Sequence, residues 1–190
     1  MIFLASHLSF AYDQEPIILR WNSSLPASTI CHLQGPNGSG KSTLLRLFAG
    51  ILQPFSGEVV CDYPIAYVGH QLGLHPDLTI DENLSFGLVP KIDDLPQLLE
   101  ETHLHAHQDS YVGILSVGQK QKVALIRMIL QNAKIWLMDE PFANLDKDGE
   151  LWLWRHIERQ VACGGSVIFT AHQRDFQDKG VISWQILRSE

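Results

Sequence analysis

The sequence predicts an α/β fold with a mostly parallel sheet and helices on both of its faces. Three observations carry this prediction. Short apolar strand-like runs alternate with helical patterns along most of the 190 residues, the arrangement that joins parallel strands through helical crossovers. A buried-type run, Ser28–Leu33, leads into a glycine-rich loop and then a helix, one of the recurrent strand–loop–helix units. Ile135-Trp136-Leu137-Met138 is an apolar strand that ends in Asp139-Glu140. It sets two acids at the carboxyl edge of a sheet, where ligands bind in such folds.

The elements follow in order. Residues 1 to about 35 hold short β-like runs at Ile2–Leu8, Ile17–Trp21 and Ser28–Leu33, with turn residues between them. Lys41–Gly50 reads as a helix, and Glu58–Cys61 and Ile65–Val68 as two further strands. From His75 to about Gly113 the character changes, because Pro76, Pro90 and Pro96 punctuate short helical stretches such as Ile80–Leu84 and Asp94–Thr102. This is a helical insertion in an α/β core. Ser116–Gln131 is an amphipathic helix with small residues at its start, and Ala133–Asp139 a buried strand. Asp148–Ala162 is a helix stopped by Gly164-Gly165. Ser166–Thr170 and Val181–Leu187 read as the last strands.

Length fits one domain, or one domain with a small insertion. A hydrophobic content of 45% and a charged content of 18% describe a soluble globular chain. A net charge of -7 argues against a nucleic-acid partner, which needs a basic field. Cys31, Cys61 and Cys163 are far apart, with no CxxC pair, as in a reduced cytosolic protein. Met1–Phe10 lacks a basic flank and is too short to span a bilayer, so neither a signal peptide nor an anchor is expected.

Gly35-Pro36-Asn37-Gly38-Ser39-Gly40-Lys41-Ser42-Thr43 matches the pattern G-x-x-x-x-G-K-[ST]. Its glycines let backbone N–H groups converge on phosphate oxygens. Lys41 adds a compact positive charge for the β- and γ-phosphates, and the Ser42 hydroxyl is a hard oxygen ligand suited to Mg²⁺. The ligand class is therefore a nucleoside triphosphate with Mg²⁺. Asp139 suits a role on that ion, and Glu140 suits a general base that polarises water.

Further marks carry a family resemblance. Leu115-Ser116-Val117-Gly118-Gln119 is similar to the LSGGQ signature of ATP-binding-cassette (ABC) ATPases. Gln71 follows a strand, as the Q-loop glutamine does; Ala143-Asn144-Leu145-Asp146 resembles the D-loop, and Thr170-Ala171-His172 the H-loop. Tyr12 precedes the loop where the family carries an aromatic that stacks on adenine. The resemblance runs from about residue 2 to 187. It implies an ABC-type P-loop NTPase core with a mostly parallel sheet, an N-terminal antiparallel β region and a helical insertion subdomain. Residues of about 1–74 and 132–190 would form the catalytic core, and about 75–131 the helical part.

The resemblance also implies roles. Gly35 to Thr43 bind phosphates. Gln71 touches the metal and the attacking water, Asp139 positions Mg²⁺, Glu140 activates water and His172 contacts the γ-phosphate. Ser116, Gly118, Gln119 and Asp146 complete the nucleotide site, the signature acting across a head-to-tail dimer with a second copy of the chain. An integral membrane permease would dock near residues 71–88, on the cytoplasmic face of the inner membrane. Within the family, Gly69-His70-Gln71, the Thr170-Ala171-His172-Gln173 run and the short length are most similar to the ATPases of cytochrome c maturation, the haem exporter ATPases. An ABC ATPase of another small transport or lipoprotein-release system is the alternative. A soluble P-loop kinase would leave the signature and His172 without a purpose, and a ribosome- or DNA-acting cassette would be expected to carry tandem cassettes or long coiled-coil insertions.

One position departs from the family pattern. Val117 stands where the signature has the first of its two glycines, and a β-branched residue there forbids left-handed backbone. Two features are read as non-functional. His103, His105 and His107 alternate at a spacing that does not share a helix face, which points to a solvated segment rather than a metal site. Trp21, Trp136, Trp152, Trp154 and Trp184 are read as core.

Overall fold

A computed structural model describes residues 2–13, 15–86, 94–171, 176 and 179–186. In chain order its elements are β1 (Phe3–Tyr12), β2 (Glu15–Leu25), β3 (Ile30–Gln34), α1 (Lys41–Phe48), β4 (Ser56–Val60), β5 (Ile65–Val68), α2 (Ile80–Ser85), α3 (Leu95–Glu101), α4 (Val117–Leu130), β6 (Ile135–Met138), α5 (Lys147–Ala162), β7 (Ser166–Phe169) and β8 (Ile182–Gln185). Three strands form an antiparallel sheet in the order β2-β1-β4, and five form a parallel sheet in the order β5-β6-β7-β3-β8. The third β-like run of the N-terminal stretch is thus a parallel strand, while the first two pair as an antiparallel hairpin.

The inner strands β3, β6 and β7 are short and buried on both faces, which is why they read as continuous apolar runs. Alternation sorts their side chains. Ile135 and Leu137 of β6 and Ile168 of β7 join a cluster with Leu44, Leu45 and Phe48 of α1 and with Phe3 and Leu8 of β1. Trp136 and Met138 of β6 and Val167 and Phe169 of β7 face the other way, into a cluster with Val123 and Ile126 of α4 and Trp152 and Ile157 of α5. The sheet is therefore sandwiched, and each such buried side chain contributes roughly 1.5–3 kcal/mol of transfer free energy. Trp136, Trp152 and Trp154 are buried as expected, and Trp21 and Trp184 are partly buried against the first cluster.

The segment between β5 and β6 is mostly helical. Thr79 and Glu82 form a capping box at the start of α2, and the buried Asn83 anchors the loop before it. Asn83 Oδ1 accepts the His75 N–H at 2.7 Å, and its amide donates to the carbonyls of His75 and Thr79 at 3.0 and 2.9 Å. His105 and His107 lie on an exposed 3-10 turn, where His105 Nδ1 is 3.3 Å from a Glu100 carboxylate oxygen.

Candidate active site

The strand order sets the site. The glycine-rich loop follows β3, the carboxylates follow β6, and β7 lies between those two strands. Both segments leave the same carboxyl edge of the sheet.

After Gln34 the chain turns into α1, whose N-cap is Gly40 in a left-handed conformation with φ 97. A Cβ at Gly40 would stand 2.6 Å from Ile17 Cγ2, so a side chain is excluded twice over. Among the described residues no side chain caps α1, which leaves its first N–H groups to an anion. Lys41 Nζ donates to the carbonyls of Gly35 and Pro36 at 2.8 and 3.0 Å, holding the ammonium across the loop. The buried Ser39 hydroxyl has no partner among the described residues. An orphan hydroxyl in this loop fits a site whose remaining partner is an oligophosphate.

Asn37, Gly38, Gly40, Lys41, Ser42 and Thr43 line one side of a cavity of about 430 Å³, and His70, Asp139 and Glu140 line the other, with Ile17 of β2 at its rim. Hard oxygen donors, Ser42 and Asp139, thus share a cavity with the phosphate loop, a donor set that fits Mg²⁺.

The carboxylates are placed by a residue that sequence reasoning left without a role. Thr170, at the end of β7, donates its hydroxyl proton to Asp139 Oδ1 at 2.8 Å and accepts the Glu140 N–H at 2.8 Å. The Asp139 N–H is bonded to the Val68 carbonyl at 2.8 Å. Glu140 itself has φ 54, a left-handed conformation that costs a non-glycine residue roughly 1–2 kcal/mol. Gln121 of α4, also buried, donates to the Pro141 carbonyl at 3.2 Å and ties the signature helix to this turn. Beneath the site, burial pushes His32 below its ordinary value, opposed by its contact with the Ala171 carbonyl.

The other expected site residues stand apart from this cavity. Tyr12 is exposed at the end of β1, edge-on to Phe10 with centroids 4.9 Å apart. Gln71 is exposed directly after the cavity-lining His70. Ser116, Gly118 and Gln119 are at the start of α4, where Ser116 Oγ accepts the Gln119 N–H at 3.2 Å and Gln119 Oε1 accepts the Ser116 N–H at 2.9 Å. Asp146 caps α5: its carboxylate accepts the Gly149 N–H at 3.0 Å and lies 3.3 Å from Lys122 Nζ, contacts that hold it below the usual carboxylate range. His172 lies outside the described residues.

The structure accounts for the altered signature. Val117 is the first helical residue of α4 and is 61% exposed. A β-branched residue meets no conflict there. The second glycine differs, because a Cβ on Gly118 would lie 2.6 Å from the Asn144 carbonyl oxygen.

Comparison with known proteins gives the family. A family model described as ABC transporter matches residues 19–143. The cytochrome c biogenesis ATP-binding export protein CcmA of Legionella pneumophila is 38% identical over 183 residues, covering 87% of this chain and 90% of that protein. The protein of the same description from Shewanella frigidimarina is 36% identical over 203 residues, covering 99% and 92%. Among solved structures, an ATP-binding subunit of an ABC transporter matches with TM-score 0.91 at 23% identity, covering 99% of this chain and 87% of the other. A nucleotide-free ATP-binding cassette matches at 0.80 and 21%, covering 98% and 88%. The chain belongs to the ATP-binding subunits of the ABC transporter family and is an ATPase.

Proposed function

We propose that this ATPase powers a membrane complex of cytochrome c maturation, in which ATP-driven closure of two copies moves a haem-handling membrane partner. The observation that carries the chemistry is the shared cavity, with Lys41 and Ser42 on one wall and Asp139 and Glu140 on the other. The relatives named for cytochrome c biogenesis, 38% and 36% identical, support the pathway.

The loop N–H groups and Lys41 hold the β- and γ-phosphates of ATP. Glu140 takes a proton from water as the water oxygen bonds to the γ-phosphorus, and the bond to the β–γ bridging oxygen breaks to release ADP. Ser42, Asp139 and Gln71 would hold Mg²⁺, which supplies positive charge to the phosphate oxygens. Tyr12 stacks on adenine and His172 contacts the γ-phosphate. Ser116, Gly118, Gln119 and Asp146, away from the cavity of their own chain, serve the ATP of the second copy. Residues of about 75–131 act as a helical subdomain against a core of about 1–74 and 132–190. The membrane partner docks near residues 71–88, of which 87 and 88 lie outside the described residues, at the cytoplasmic face of the inner membrane. Among the described residues no helix is long and apolar enough to cross a membrane.

The test is loss of this chain in its host, with holocytochrome c as the readout. The proposal expects holocytochrome c to disappear, to return with the unaltered chain, and not to return with Glu140→Gln. Unchanged holocytochrome c would overturn the pathway and leave the ATPase standing.

A further inference from the structure

Arg127 has no part in the site described above, yet it reaches the segment beside it. Its guanidinium, carried by α4, donates from Nη1 to the Gly73 carbonyl at 2.7 Å and from Nη2 to the Leu72 carbonyl at 3.0 Å. Among the described residues no carboxylate forms a salt bridge with it. A half-buried cation is thus committed to two consecutive backbone carbonyls directly after Gln71. The rigid planar fork of a guanidinium sets the directions of both bonds at once, whereas an ammonium, whose three donors rotate freely, leaves those directions loose.

The loop is shaped to receive this fork. Gly73 has φ 64, and a Cβ there would stand 3.0 Å from Nη2. Glycine therefore supplies both the turn that presents the carbonyls and the space for the guanidinium. Leu72 is partly buried against the main cluster, so the loop is seated from both sides. At its other end α4 carries the Ser116–Gln119 capping box, about three turns away and roughly 16 Å along the axis. One rigid helix joins the loop that begins at Gln71 to the signature.

We propose that Arg127 is a positioning residue for hydrolysis: it fixes the Leu72-Gly73 backbone so that Gln71 is presented to the γ-phosphate side of the cavity, and it ties that loop to the signature helix. This rests on the assignment of Gln71 made above, and the experiment separates the two.

The measurement is steady-state ATP hydrolysis by the full chain and by Arg127→Met, Arg127→Lys, Gly73→Ala, Gln71→Ala and the Gln71→Ala/Arg127→Met double variant. Arg127→Met is expected to lower kcat about tenfold with the KM for ATP within about twofold, the signature of a group that acts on the reacting state. Arg127→Lys is expected to restore less than half of the loss. Gly73→Ala, which leaves the arginine in place, is expected to show the same split, so the test survives if Arg127→Met does not fold. In the Gln71→Ala background, Arg127→Met is expected to cost less than about twofold more, because both variants disable one device. Losses that multiply, or a fall in melting temperature with kcat unchanged in Arg127→Met and Gly73→Ala, would overturn the proposal. Full activity of Gln71→Ala alone would refute the Gln71 assignment, and the proposal with it, through a different variant.

Discussion

The Thr170 hydroxyl stands 2.8 Å from Asp139 Oδ1 and, as an acceptor, 2.8 Å from the Glu140 N–H. One side chain on β7 therefore orients both acids delivered by β6. The neighbouring strands are in parallel register up to Met138 and Phe169, so the next residues of each strand come side by side. Thr170→Val keeps the shape and removes both bonds. It is expected to lower kcat by about 10–100-fold, the range for losing an outer hydrogen bond that orients a functional carboxylate, with the KM for ATP nearly unchanged. Thr170→Ser should keep most of the activity. Steady-state kinetics of the two variants decides between orientation of the acids and simple packing.

The two signature positions should respond in opposite ways. Gly118→Ala drives a Cβ toward the Asn144 carbonyl at 2.6 Å, and backbone must move to relieve it. A loss of about 1–3 kcal/mol of stability, the usual scale of overpacking, is expected, with a fall in ATPase activity. Val117→Gly touches an exposed first helical residue and should change kcat by less than about twofold while lowering stability by up to about 1 kcal/mol. Denaturant unfolding and ATPase assays on the pair check both statements.

Glu101 predicts a pH dependence. Its Oε2 accepts from Trp152 Nε1 at 3.0 Å and faces His156 Nε2 at 3.1 Å, and its Oε1 accepts from Gln97 at 2.7 Å. Burial raises this carboxyl, but the hydrogen bonds from Gln97, His156 and Trp152 outweigh it and leave it below 4.5. Burial holds His156 below 6.5, against the pull of Glu101. Both folded values lie below the unfolded ones, so the unfolded chain binds more protons. The stability from His156 is complete above 6.5 and falls as pH drops through its folded value. That from Glu101 is complete above 4.5 and is lost further down. Glu101→Gln is expected to destabilise the fold by about 1–2 kcal/mol at pH 7 and to flatten the loss below pH 4.5. Urea unfolding of both proteins at pH 7 and pH 4 measures this, and parallel curves would contradict it.

What the sequence made legible was local. The glycine-rich loop, the apolar strand before Asp139 and the amphipathic helix that starts at Ser116 are contiguous patterns, and their geometry follows from neighbouring residues. The contacts that constrain Thr170, Arg127 and Gly118 were not legible in the same way. Their roles depend on partners far along the chain: Thr170 meets Asp139 only because β7 lies between β3 and β6, Arg127 reaches Leu72 and Gly73 across 55 and 54 positions, and Gly118 is constrained by the Asn144 carbonyl. Val117 was the instructive departure. Its β-branching excludes only left-handed backbone, and the site asks for helix.

The central claim is that this chain is one half of an ATP-driven clamp in which Glu140 makes hydrolysis, and hence release, possible. It is tested most directly by the mass in solution of Glu140→Gln with ATP and Mg²⁺, measured by light scattering during gel filtration. The account predicts a stable dimer holding two uncleaved ATP molecules, which returns to monomer when nucleotide is removed. A variant that stays monomeric, or that hydrolyses ATP at the parental rate, would contradict it.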